Sequence, residues 1–143
     1  MNQAFDIIIV GAGMVGAALA NGLGQQGIKV GLIDKAEPSD FDADASPDIR
    51  VSALSAGSER YLQSLGAWPR IQAMRATPYR RLAVWDETPH PLSRLLPGSL
   101  TEVEFSAADL GAGHLGHIVE NSITQNALWQ TLQDEPDVTL ITG

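Results

Sequence analysis

The sequence predicts an α/β fold built on a Rossmann-like βαβ unit with an antiparallel hairpin excursion. Three observations predict it. An apolar run, Ile7-Ile-Ile-Val10, leads into the glycine turn Gly11-Ala12-Gly13-Met14-Val15-Gly16. An Ala- and Leu-rich segment follows and stops before Gly27. A second apolar run then ends in the pair Asp34-Lys35. Strand, glycine turn, helix, strand and terminal acid in that order make a dinucleotide-binding unit.

Each residue type has a physical reason to stand where it does. Gly11 permits the tight strand-to-helix turn, and Gly13 leaves the backbone open to a pyrophosphate. Gly16 allows close packing of helix on strand. The free N–H groups and positive end of the helix face the phosphates, and the Asp34 carboxylate can accept hydrogen bonds from ribose hydroxyls.

The elements follow in chain order. Phe5–Val10, apolar but for Asp6 and not alternating, reads as a fully buried parallel strand. Residues 14–26 read as a helix with Gly27 at its C-terminal stop, and Lys29–Ile33 as the second strand. Residues 36–47 hold two prolines and the acids Glu37, Asp40, Asp42 and Asp44, which predicts a solvated loop. Ser52 or Ser55 can cap a helix running to Leu65, with Glu59 near its positive end and Gly66 after it. Trp68–Met74 reads as a short helix with Pro69 early in it.

Arg81–Trp85 and Thr101–Phe105 read as strands flanking a proline-containing loop, 86–100. His117–Glu120 is a further extended piece. Ser122 can cap a helix to Gln133 that shows Ile123, Ala127, Leu128 and Leu132 on one side. Val138–Thr142 is a final strand of buried type. A sheet-forming strand at this point predicts that residues 1–143 are the N-terminal part of a larger domain, with its unpaired edge to be completed elsewhere.

Bulk properties exclude several classes of function. A chain of 143 residues holds at most one domain with a real core. Its net charge of −8 argues against nucleic acid as a partner. The absence of cysteine rules out disulfides and thiolate catalysis and fits a reducing cytoplasm. The apolar N-terminus lacks the basic start of a secretory signal, since Lys29 is the first basic residue. No apolar run reaches the roughly 18 residues of a spanning helix. His114 and His117 lack a clear third ligand in their neighbourhood, so they read as part of a glycine-rich loop rather than a metal site. Trp68, Trp85 and Trp129 read as packing residues.

Beyond the glycine turn, further segments carry a family resemblance. They are Asp48-Ile-Arg-Val-Ser-Ala-Leu-Ser55, Leu65-Gly-Ala-Trp68, Pro78-Tyr-Arg-Arg-Leu82, Leu115-Gly-His-Ile-Val-Glu-Asn121 and Gln125-Asn-Ala-Leu-Trp129. With them the chain resembles the FAD-dependent aromatic hydroxylases of the para-hydroxybenzoate hydroxylase type. Within these it is most similar to the ubiquinone-biosynthesis hydroxylases, and the Pro-Tyr-Arg-Arg-Leu pattern is similar to the branch acting on the demethoxy quinol.

The resemblance implies that Gly11, Ala12, Gly13, Met14, Val15 and Gly16 carry the FAD pyrophosphate, and that Asp34 and Lys35 stand at the ribose. It implies that Arg50 approaches the phosphate and ribitol region, where a fixed guanidinium suits phosphates. An ion pair between Arg50 and the acidic loop is the plainer alternative. Asn121 matches a polar cofactor-contacting position, and Gln125 one turn later is a second candidate; a helix cap and a solvated face are their plainer readings.

The implied activity is a monooxygenase using FAD, NAD(P)H and oxygen on a polyprenylated quinol. The implied setting is cytoplasmic, with peripheral contact at the inner membrane or in a biosynthetic complex. No side chain of this chain is implied as catalytic. The family's later Asp-Gly and Gly-Asp motifs do not occur here and are expected beyond residue 143. Two rival readings remain from the residues alone: an NAD(H)-binding dehydrogenase domain, for which Asp34 suits equally, and a non-catalytic nucleotide-binding module.

Overall fold

A computed structural model describes residues 4–85 and 102–143. The loop expected over 86–100 lies outside the described residues. The first element is strand β1 (Ile7–Val10), which passes through the glycine turn into helix α1 (Met14–Gly24) and then strand β2 (Val30–Asp34). Strand β3 (Val51–Ser55), helix α2 (Ala56–Ser64), helix α3 (Trp68–Met74) and strand β4 (Thr77–Tyr79) follow. Strands β5 (Arg81–Trp85) and β6 (Glu102–Ser106) form the antiparallel hairpin. A single 3-10 turn (Ala108–Leu110) leads to strand β7 (Gly116–Glu120), helix α4 (Asn121–Gln133) and strand β8 (Val138–Thr142).

Among the described residues three sheets result. One is parallel, in the order β1-β2-β8, with Ile9 opposite Leu32 and Leu32 opposite Leu140. The second is antiparallel, with β7 between β3 and β4. The third is the β5–β6 hairpin. The core lies between α1, α4 and the parallel sheet, where Ala17, Ala20, Val30, Leu32, Ala127, Leu128 and Leu132 are buried. Full burial of each large aliphatic side chain stabilises by about 1.5–3 kcal/mol. Small residues let α1 and α4 approach closely, and the buried Asn21 donates to the Thr131 hydroxyl across that contact at 2.5 Å.

Several sequence expectations are corrected. The first strand starts at Ile7 rather than Phe5 and is not fully buried: Ile8 is 59% and Val10 80% exposed. Among the described residues β1 pairs only with β2, so it is a sheet edge covered on one side. Strand β8 pairs with β2 and, among the described residues, stands at the outer edge of its sheet, as expected. Helix α1 ends at Gly24, two residues before the expected end, and Gly27 turns the chain at φ +76°.

Ser52 lies in β3, an element the sequence hid, whereas Ser55 does cap α2, accepting from the Ser58 amide. Ser122 is not a cap. Strand β7 runs directly into α4 with Glu120 at the cap position, because the Asn121 amide still donates to Arg50 in the sheet ladder. Strand β4 also went unforeseen; it contains Pro78 and is a sheet edge, the place where a strand tolerates a missing donor. Trp68 and Trp129 are buried, but Trp85, at the end of the hairpin, is 61% exposed.

Candidate functional site

The glycine turn shows what each glycine is for. Gly11 adopts φ +103°, where a side chain is strained. A Cβ at Gly16 would sit 1.9 Å from the Gly11 carbonyl oxygen, so helix and turn touch backbone to backbone there. At Gly13 a Cβ would meet nothing within 4 Å among the described residues, and its backbone (φ −65°, ψ 177°) suits any residue. The fold therefore does not need a glycine at 13. Open space there, at the N-cap of α1, is what an approaching phosphate requires. Among the described residues no side chain caps α1, and its first turn carries no acid, so its leading amides face that space.

Asp34 stands at the end of β2 against the turn. Its Oδ2 accepts from the Ala12 amide at 2.6 Å and its Oδ1 from the Lys35 amide at 2.6 Å. The Ala12 amide, and after it the Lys35 amide, hold the carboxyl below its ordinary pKa. A carboxylate has about four acceptor positions, so two remain for ribose hydroxyls. The Lys35 side chain is exposed, as is Val15, while Met14 is half-buried.

Helix α4 ties the turn to the second group of expected residues. Gln125 donates from Nε2 to the Ala12 carbonyl at 2.9 Å. One turn earlier, the Asn121 amide donates to the Arg50 carbonyl at 2.9 Å, and the Asn121 Oδ1 accepts from the Ser52 hydroxyl at 2.7 Å. Residues four apart share a helix face, so this face joins Arg50 to the glycine turn. The Arg50 amide donates to Asp48, and its guanidinium is exposed. Among the described residues Arg50 forms no ion pair, so the acidic loop does not hold it.

That loop is held by Arg75 instead. Arg75 donates to the carbonyls of Ala43 and Ala45, pairs with Glu120 at 3.1 Å and lies 5.5 Å from the Phe41 ring centre. A cleft of about 370 Å³ separates this loop from the start of α4 and includes Gln125. A second, apolar groove of about 470 Å³ starts at Met14 and Val15 and continues past Leu54, Tyr61 and Leu128.

Sequence reasoning missed one member of the site: Ser52, one of two residues expected to cap a helix, orients Asn121. Gln125, expected as a cofactor contact, also holds the turn through its amide nitrogen. The Asp48-Ile-Arg-Val-Ser run was the available signal for Ser52: polar and apolar residues alternate in it as along a strand, and Ser52 falls on the less exposed face of β3.

The FAD binding domain family model matches residues 4–135. The chain is 50% identical over 140 residues to the 3-demethoxyubiquinol 3-hydroxylase of Escherichia coli, covering 97% of this chain and 33% of that protein. It is 36% identical over 141 residues to the ubiquinone biosynthesis monooxygenase COQ6 of Danio rerio, covering 95% of this chain and 27% of that one. The chain thus spans about a third or less of the length of these curated relatives. Among solved structures, p-nitrophenol 4-monooxygenase PnpA from Pseudomonas putida shares the fold at TM-score 0.64, with 17% identity over 98% of this chain and 32% of that one. The flavin-dependent monooxygenase PieE, solved with FAD and substrate, also matches at TM-score 0.64, with 15% identity over 99% of this chain and 24% of that one.

Proposed function

The chain belongs to the FAD-binding domain family, and from that premise we propose that it supplies the N-terminal FAD-binding part of a monooxygenase that uses NAD(P)H and oxygen to hydroxylate the ring of a polyprenylated quinol in ubiquinone biosynthesis. The observation that carries the substrate class is the 50% identity to a 3-demethoxyubiquinol 3-hydroxylase across 97% of this chain. The substrate domain and the remaining FAD contacts would come from sequence outside these residues.

The residues present fit the cofactor, because the cradle at Gly13 is open while Gly16 is packed against the Gly11 carbonyl. The amides of the α1 N-terminus would bind the pyrophosphate. Asp34, fixed by Ala12 and Lys35, would accept from ribose hydroxyls. Arg50 would offer its guanidinium to the phosphate and ribitol region, and Asn121, its oxygen held by Ser52, would present its amide nitrogen. Bound FAD would supply the redox and oxygen chemistry, so this part of the protein orients the cofactor and contributes no catalytic side chain.

Among the described residues no helix is long and apolar enough to cross a membrane. We propose that access to a polyprenylated substrate comes by peripheral contact with the inner-membrane surface from the cytoplasm.

The test is turnover by the protein at its natural length. Purified with its flavin, it should consume NAD(P)H and oxygen in the presence of a demethoxy quinol analogue and add one oxygen atom from labelled O2 to the ring. A protein that releases NAD instead of FAD, or that forms no oxygenated product, would contradict the proposal.

A further inference from the structure

The two histidines of the segment Gly113-His114-Leu115-Gly116-His117 acquire in the fold the carboxylate they lack in sequence. Glu59, in the first turns of α2, is buried between them. Its Oε1 accepts from His117 Nδ1 at 2.5 Å and its Oε2 from His114 Nε2 at 3.0 Å. One ligand atom from each of the three residues lies within 4.8 Å of the others. The imidazoles meet edge to face, with centroids 4.6 Å apart.

We propose that Glu59, His114 and His117 form a divalent-metal site of the zinc type, separate from the FAD cradle. Two imidazoles and one carboxylate are a donor set that zinc takes when a fourth position stays open. Bonds of about 2.0–2.1 Å in tetrahedral geometry place donors about 3.3 Å apart. The two carboxylate–imidazole separations, 2.5 and 3.0 Å, are shorter than that value and no pair is wider than 4.8 Å, so movements of about 1–1.5 Å bring the groups onto an ion. The ion would replace the two ring protons now directed at Glu59, since a coordinating nitrogen must be unprotonated.

The surroundings suit this exchange. The His117 side chain is 12% exposed and packs edge-on against Trp68 at 5.1 Å, which fixes its ring. His114 is 37% exposed and leaves the site open to solvent on its side, where water can complete the shell. It follows a stretch with Gly111 and Gly113, where the backbone has freedom to adjust. The Arg80 guanidinium donates to the Gly113 carbonyl and anchors the loop. A metal there would clamp α2 to β7, two elements that the sequence separates by 55 to 58 residues at these contacts.

The test uses the natural-length flavoprotein, stripped with a chelator and dialysed against Zn2+ alone. One zinc per chain should be retained, with a rise in the unfolding temperature. Glu59→Gln and the half-exposed His114→Ala should each weaken zinc binding by at least about a hundredfold, more than loss of an outer-shell partner costs. Both should keep their FAD content, which separates this proposal from the assignment of the cofactor cradle. Failure of the wild type to retain zinc, or equal retention by His114→Ala and Glu59→Gln, would overturn it.

Discussion

Gln125 Nε2 lies 2.9 Å from the Ala12 carbonyl oxygen, so a side chain on α4 holds the backbone of the glycine turn. The two residues are 113 positions apart. Their contact makes the shape of the turn depend on how α4 is seated. Gln125→Ala should cost about 1 kcal/mol of stability. It should also weaken FAD binding by about two- to tenfold, because the turn must then be ordered by the ligand. Fluorescence titration of the stripped protein with FAD reads the change. An unchanged affinity would show that the turn holds its shape unaided.

Gly16→Ala tests packing rather than binding. The added methyl would lie 1.9 Å from the Gly11 carbonyl oxygen and 3.1 Å from its carbon. Both are backbone atoms, so helix and strand must move apart. The expected loss is at least about 1–3 kcal/mol, the usual range for overpacking, read as a lower urea midpoint. A midpoint equal to wild type would mean that α1 can shift freely on β1.

The Asp34 carboxylate gives a pH signature. The amides of Ala12 and Lys35 lower its folded pKa below the ordinary value of 3.8. Its contribution to stability is therefore present above pH 3.8 and is lost as the pH falls through the lower, folded value. Asp34→Asn presents an amide nitrogen to one of those backbone donors. The variant should be less stable than wild type at neutral pH, and the difference should shrink in acid. It should also bind FAD about 5- to 150-fold more weakly. A stability difference that stays constant down into acid would contradict the account.

Asn21→Ala should loosen the contact between α1 and α4. Asn21 is 1% exposed and donates to Thr131 Oγ1, while its own oxygen accepts from Gln25. Removing it leaves these partners short of a bond and opens a small void, at a cost of about 1–3 kcal/mol. Chemical denaturation measures it, and a wild-type midpoint would show that the hydrogen bond adds nothing.

The βαβ unit was legible because its signals are local: an apolar run, a glycine spacing and a terminal acid lie within 30 residues of one another. Helix α3 and strand β5 matched their expected bounds for the same reason, since Pro69 marks the start of one and the compact apolar run Leu82–Trp85 fills the other. Strand β4 was not legible, and strand β3 offered only the polar–apolar alternation that leads into Ser52. Each is short and contains serine or proline, and each exists because β7 pairs with it. The exposed faces of β1 and Trp85 were missed because burial depends on what else covers an edge or a hairpin. Glu59 could not be joined to His114 and His117 from sequence, because that contact is made only when α2 docks beside β7.

FAD retention by Gly13→Val, in the protein at its natural length, tests the central claim most directly. The position has open space and a backbone that valine can adopt, so the variant should fold with a normal circular dichroism spectrum and urea midpoint. Its side chain would occupy the place assigned to the pyrophosphate. The account predicts a folded protein that purifies without flavin absorbance. A folded Gly13→Val protein carrying its full complement of FAD would contradict it.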